Sequence, residues 1–162
     1  MVSDRKGIIL AGGKGSRLYP LSNVISKQLM PIYDKPMIYY PLSTLMLCGI
    51  RDFLIITTPQ DLDNFKRLLS DGKKLGINIE YAIQEYPKGI AEAFLIGEAF
   101  IKNHPVALIL GDNLFHGSNL VPKLKAANFN KDKSTIFGYK VSDPERYAVA
   151  KLNNKNKLVD II

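Results

Sequence analysis

The residues best able to do chemistry gather just after the first apolar run. "LAGGKGSRLYPLSNVISKQLMPIYDKP", from Leu10 to Pro36, sets Gly12, Gly13 and Gly15 beside Ser16 and Arg17, with Lys27, Gln28 and Lys35 downstream. Glycines let backbone N–H groups approach a phosphate with no Cβ in the way, and neighbouring cations offset its charge. The pattern is not a P-loop, which needs G-x-x-x-x-G-K-[ST], because Lys14 sits between glycines and Ser16 is followed by Arg17. Nor is it a dinucleotide-binding G-x-G-x-x-G turn, since Leu18 stands where the third glycine belongs.

Other polar residues stand at the ends of apolar runs. Asp112 closes "VALILGD". There its carboxylate is either a capping group before Asn113 or a hard oxygen ligand for Mg2+, an ion that takes one or two carboxylates together with substrate phosphates. Gln28 and Gln84 carry amides able both to donate to and to accept from a base edge. Gln84 closes "INIEYAIQ" ahead of a "PKG" turn, whereas Gln28 by residue type alone is equally an exposed surface position. Lys14 reads equally as a pyrophosphate contact or a solvated lysine. Cys48 has no His or basic neighbour in sequence to activate it and reads as a small buried hydrophobe.

Composition bounds the partners. Lys and Arg number 22 against 15 Asp and Glu in 162 residues, so the formal charge of +7 points to an anionic partner. The basic residues are dispersed, without the aromatic pattern, paired Cys/His ligands or basic helix that would favour a nucleic acid polymer. A single cysteine excludes an internal disulfide, and His104 and His116 do not form a spaced zinc site with it. No stretch approaches about 18 uncharged apolar residues, and no export signal is evident at the start. A soluble cytoplasmic protein without membrane partners is expected.

The elements that must position these residues alternate along the chain. Strands are expected at 7–12, 52–58, 77–84, 106–112 and 134–141. Several lack polar alternation, as when helices cover both faces of a parallel sheet. Helices are expected within 36–50, closed by Gly49, within 59–72, closed near Gly72, within 89–103, and within 118–128 with Ser118 as a possible N-cap. The segment from "PERYAVAKL" to "NNKNKLVDII" reads as a hairpin with an apolar last strand, which together with an open sheet edge favours self-association. One α/β domain over 1–162 accounts for all of this, with the glycine turn at the carboxyl edge of its sheet.

The run G-G-x-G-[ST]-R-L-x-P, with Lys27-Gln28 and Lys35-Pro36 after it, resembles the sugar-nucleotide pyrophosphorylases, a nucleotidyltransferase family, and within it the glucose-1-phosphate thymidylyltransferases. The similarity continues through "SKQLMPIYDKPMIYYPLSTLMLCGIRDFLIITTPQD", "YAIQEYPKGIAEAFLIGEAF", "LILGDNLFHG" and "DPERYAVAKL". It implies a three-layer α/β/α, Rossmann-like nucleotide-diphospho-sugar transferase fold with a mostly parallel mixed sheet. It also implies a Mg2+-dependent in-line displacement, in which a sugar 1-phosphate oxygen attacks the α-phosphorus of dTTP and pyrophosphate leaves.

By the same resemblance Leu10, Gly12, Gly13, Gly15 and Ser16 form the nucleotide cradle and Arg17 holds the β- and γ-phosphates. Lys27 bridges the α-phosphate and the sugar phosphate, and Arg17 and Lys27 are the catalytic pair. Gln28, Gln84 and the backbone at Gly89 are assigned to thymine, and Asp112 to the metal. Lys-Gln at 27–28, where uridylyltransferases typically carry Lys-Glu, favours a thymidine nucleotide. Tyr147 and Ala148 fall at sugar-binding positions, although the family pattern there is Tyr-Gly-Val, and Tyr147 is equally a packed aromatic. Family members continue into Glu-Lys-Pro and a second metal-binding Asp, so the chain is expected to be the nucleotide half, short of the sugar-binding half. It is then either a part of such an enzyme, a uridylyl- or cytidylyl-transferring relative included, or a module that binds the nucleotide with Mg2+ without turning it over. A homo-oligomer is expected.

Overall fold

The computed structural model describes residues 3–13, 15–86, 88–155 and 157–162, and of Arg146 the backbone alone. In chain order the elements are β1 (Lys6–Ala11), β2 (Pro31–Ile32), β3 (Lys35–Pro36), α1 (Tyr39–Leu47), β4 (Asp52–Thr57), α2 (Leu62–Leu69), β5 (Asn78–Ile83), α3 (Glu92–Ile96), α4 (Glu98–Ile101), β6 (Val106–Leu110), α5 (Leu120–Phe129), β7 (Ala150–Leu152) and β8 (Leu158–Ile161). The backbone groups into two compact units, one up to Lys131 and one from Asp132 to Ile162.

In the first unit four strands form a sheet in the order β5-β4-β1-β6. Every pairing in it is parallel, with Leu10 opposite both Ile56 and Leu110. The strand sequences lack alternation because each face meets its own helices. On one face Ile9, Ala11, Phe53 and Ile55 pack with Leu42 and Leu45 of α1 and Phe65 and Leu69 of α2. On the other, Ile8, Leu54 and Ile56 pack with Ala93 of α3 and Phe100 of α4. The result is the three-layer α/β/α arrangement. α5 abuts α1, where Asn128 Nδ2 donates to the Cys48 carbonyl at 3.0 Å.

Three local expectations change. The single helix expected within 89–103 is two short ones, α3 and α4, meeting at Gly97. A Cβ at Gly97 would lie 3.0 Å from the Ala93 carbonyl and 3.1 Å from Ile8 and Leu54, so the backbone comes closer to the sheet than a side chain allows. Ahead of α5 the capping position belongs to Asn119, in the left-handed region at φ 56°, rather than to Ser118, and its side chain makes no capping bond. Residues 134–141, of strand-like composition, are not a strand in the described structure. Composition favours a strand only where a neighbour supplies a continuous ladder.

The second unit contains the expected hairpin. β7 and β8 pair antiparallel, Ala150 opposite Ile161 and Lys151 opposite Asp160. The Asn153 side-chain carbonyl ties the turn by accepting from the N–H groups of Lys155 and Lys157 at 2.9 and 3.0 Å.

Phe53 is fully enclosed between β1, α1 and its own sheet. Phe53→Ala is expected to lower unfolding stability by about 3–5 kcal/mol, as for other buried aromatics. The denaturation midpoint reads this directly, and a loss below about 1 kcal/mol would contradict a central place in the core.

Candidate functional site

Ladder register decides which residues share the carboxyl edge. Ala11 is opposite Thr57, Thr57 is opposite Ile83, and Leu10 is opposite Leu110. Beyond the paired strands, Gly12, Thr58, Gln84 and Asp112 therefore form a row, Asp112 two residues past Leu110 and the others one past their strand ends. The ladder runs on to it: the Gly111 N–H donates to the Leu10 carbonyl at 2.9 Å, and the Gln84 N–H to that of Thr57 at 2.8 Å. β1 connects toward β4 on one side, whereas β5 crosses over to β6 on the other. The chain thus reverses its winding between β1 and β6, where open parallel sheets form their ligand crevice.

A cleft of about 250 Å³ opens at that place, lined by Gly13, Gly15, Ser16, Arg17, Leu18, Lys27, Gln28 and Asp112. That is below the roughly 300–1,000 Å³ of sites enclosing drug-sized molecules, and suits a short phosphate chain rather than a whole nucleotide. Gly15 has φ 57°, and a Cβ there would lie 3.1 Å from that of Lys27. The left-handed turn therefore lets the loop close against the lysine. Among the described residues the N–H groups of Gly13, Gly15 and Ser16 donate no hydrogen bond, and the exposed Arg17 guanidinium has no partner. N–H groups and a cation without partners among the described residues, set in one concavity, have the chemistry to hold an anion.

Across the cleft Lys27 Nζ donates to Asp112 Oδ2 at 2.8 Å, both side chains about one-third exposed (32% each). Lys27 lies in a single 3-10 turn, Lys27–Leu29, and Asp112 lies just past β6. Among the described residues no group of three or more His, Cys, Asp or Glu gathers to hold a metal ion. A lone carboxylate beside an anion site fits Mg2+, which takes its remaining ligands from phosphate oxygens and water.

Gln28 and Gln84 are both buried, at 3% and 6% exposure, and Gln28 is not the surface residue its type allowed. Ser26 Oγ donates to Gln28 Oε1 at 2.7 Å, and Gln84 Nε2 donates to Glu92 Oε2 at 2.7 Å. A Cβ on Gly12 would come to 3.2 Å from Gln84 Oε1, so glycine keeps the space before that amide open.

The remaining candidates are dispersed. Leu10 gives its carbonyl to the ladder and packs its side chain against the α3/α4 face. Gly89 has φ 100° with open space around it. Lys14 lies outside the described residues. Tyr147 and Ala148 belong to the second unit, where the Tyr147 ring meets Tyr139 edge-on at 6.4 Å. Cys48 is half-buried, donates to the Thr44 carbonyl, and has its thiol pushed up by burial, as an unreactive cysteine should. Sequence reasoning passed over Ser26, Glu92 and Gly111. A Ser two residues before Gln28 was a findable signal. Nothing local marked Glu92, and Gly111 matters only because a Cβ there would strike Gln28 Cγ at 2.9 Å.

Comparison with known proteins gives consistent matches. Residues 6–162 match the model of the nucleotidyl transferase family. The chain is 55% identical over 160 residues to a glucose-1-phosphate thymidylyltransferase of Xanthomonas campestris pv. campestris (strain B100), covering 99% of this chain and 54% of that one. It is 56% identical over 156 residues to the Neisseria meningitidis serogroup A enzyme of the same name, covering 96% and 54%. A Bacillus anthracis protein described as a glucose-1-phosphate thymidylyltransferase, crystallised with a sucrose, superposes with TM-score 0.89 at 38% identity over 97% of this chain and 63% of that one. UDP-glucose pyrophosphorylase complexed with UDP-glucose gives TM-score 0.63 at 29% identity over 79% and 52%. The chain spans about half the length of the curated relatives it matches.

The partial exposure of Lys27 and Asp112 sets an expectation for their pairing. A double-mutant cycle with Lys27→Met and Asp112→Asn should give a stability coupling of about 1 kcal/mol or less, as for other solvated pairs. Denaturant melts of the four proteins measure it, and a coupling above about 2 kcal/mol would mark the pair as part of the folding core.

Proposed function

Because the chain belongs to the nucleotidyl transferase family, we propose that it is the nucleotide-binding part of a glucose-1-phosphate thymidylyltransferase, which makes dTDP-glucose and pyrophosphate from dTTP and glucose 1-phosphate. The observation that carries this reading is a cleft at the β1/β6 reversal. It joins unpaired loop N–H groups, Arg17, Lys27 and Asp112. The identities of 55% and 56% to enzymes of that name support the choice of substrates.

Phosphoryl transfer between two polyanions needs positioning and charge neutralisation, and no covalent intermediate on the protein. In this reading the loop N–H groups and Arg17 hold the β- and γ-phosphates, so developing negative charge on the leaving pyrophosphate meets fixed donors. Lys27, resting on Asp112, turns to the α-phosphate and the sugar phosphate. Asp112 would hold Mg2+ against the phosphates, where the ion neutralises charge and orients oxygens. Gln28, Gln84 and Gly89 face the base, and the family resemblance assigns Tyr147 and Ala148, of the second unit, to the sugar. No helix among the described residues is long and apolar enough to cross a membrane, and a cytoplasmic setting accompanies nucleotide substrates.

Titration calorimetry with dTTP, UTP, CTP and GTP in Mg2+ tests the assignment. dTTP should bind most tightly, and Arg17→Ala should weaken it about ten-fold more than Lys14→Ala, given the strength of bidentate guanidinium contacts to phosphate. Equal losses would contradict the role given to Arg17, and no dTTP binding would overturn the reading itself.

A homo-oligomer belongs to the same proposal, supported by the exposed apolar side chains Val24, Tyr33 and Leu95. Light scattering should show more than one copy per particle, and a monodisperse monomer would remove this part of the proposal.

A further inference from the structure

Both buried glutamines of the site are held by one end only, and by opposite ends. Gln84 gives its Nε2 to the Glu92 carboxylate at 2.7 Å. Gln28 receives the Ser26 hydroxyl on its Oε1 at 2.7 Å. A carboxylate only accepts hydrogen bonds, so Gln84 turned the other way would set two acceptor oxygens against each other. Glu92 thereby decides which atom Gln84 turns to its open side.

That side faces the glycine loop. Gln84 Oε1 lies 3.2 Å from where a Gly12 Cβ would be, and Gln28 Nε2 lies 3.6 Å from where a Gly13 Cβ would be. Neither atom takes a hydrogen bond among the described residues. No side-chain N or O atom there is both buried and without a partner, so both atoms border open space. The row at the sheet edge therefore offers an acceptor beside Gly12 and a donor beside Gly13.

We infer that Glu92 is a specificity-determining positioning residue: by fixing Gln84 with Oε1 toward the glycine loop, it selects a base carrying a ring N–H. This rests on the nucleotide-binding reading above and extends it to a residue that touches no ligand. Thymine and uracil offer N3–H to that oxygen, whereas cytosine presents an acceptor at the same ring position and meets acceptor with acceptor. Lys88 Nζ stands 3.9 Å from Glu92 Oε1, leaving Oε2 to Gln84. Glu92 sits in the first turn of α3, behind the amide.

The experiment measures Kd for dTTP, dCTP and inorganic tripolyphosphate with Mg2+ on the unaltered chain, Glu92→Gln and Glu92→Ala. The unaltered chain should prefer dTTP over dCTP by ten-fold or more, the scale of leaving one buried acceptor without its hydrogen bond. In Glu92→Gln the new amide satisfies Gln84 in either orientation, so the preference should fall roughly ten-fold, mainly through tighter dCTP binding, while tripolyphosphate affinity stays constant. Glu92→Ala should lose the preference in the same way. A preference kept in both variants, or a parallel loss of all three ligands, would overturn the inference. Tripolyphosphate and dTTP failing alike on the unaltered chain would instead overturn the nucleotide reading, and this inference with it.

Discussion

The parallel register of β1 between β4 and β6 is the constraint on which the rest depends. With Leu10 level with Ile56 and Leu110, the residues just past the strands are forced into one row. Gly12, Thr58, Gln84 and Asp112 come from four distant segments and share an edge because the three ladders of the four strands run in step. A one-residue slip of β6 would turn Asp112 to the opposite face and dissolve its contact with Lys27. Burial enforces the register: Ile8 and Ile9 point to different helical layers, and neither can change sides without exposing itself to water.

On this frame the site combines strong charge with little enclosure. Lys27 and Asp112 satisfy each other at 2.8 Å while about one-third exposed, so neither suffers the desolvation of a buried ion. Arg17 and the loop N–H groups have no partner within the described chain. The amides behind them follow the opposite rule. Gln28 and Gln84 are nearly dry, and each is committed at one end to a neighbour of fixed polarity. In the proposed reading, phosphate recognition falls to adaptable, solvated groups and base recognition to rigid, buried ones. Such a division suits an anion common to all nucleotides and a base edge that must be told from its competitors.

Much of this was legible in the sequence. The apolar runs at 7–12, 52–58, 77–84 and 106–112 are strands because a run apolar on both faces has few other stable fates. The glycine loop, Arg17, Lys27 and Asp112 stood out as residue types with a shared chemistry, and all four line one cleft. Less legible were features that depend on a neighbour. The segment 134–141 has strand composition, yet strandedness belongs to a pair. The helix expected within 89–103 is divided at Gly97, where the sheet lies too close for a Cβ, a distance that propensity does not contain.

The sequence by itself determined the fold class and the family, since both follow from local patterns: period, turn residues and a long motif that needs no partner to be recognised. Tertiary structure alone decided which polar atoms face the site. Gln84 offers an oxygen and Gln28 a nitrogen because Glu92 and Ser26 hold the other ends. An amide carries both polarities in its sequence letter, and only the group packed against it chooses between them.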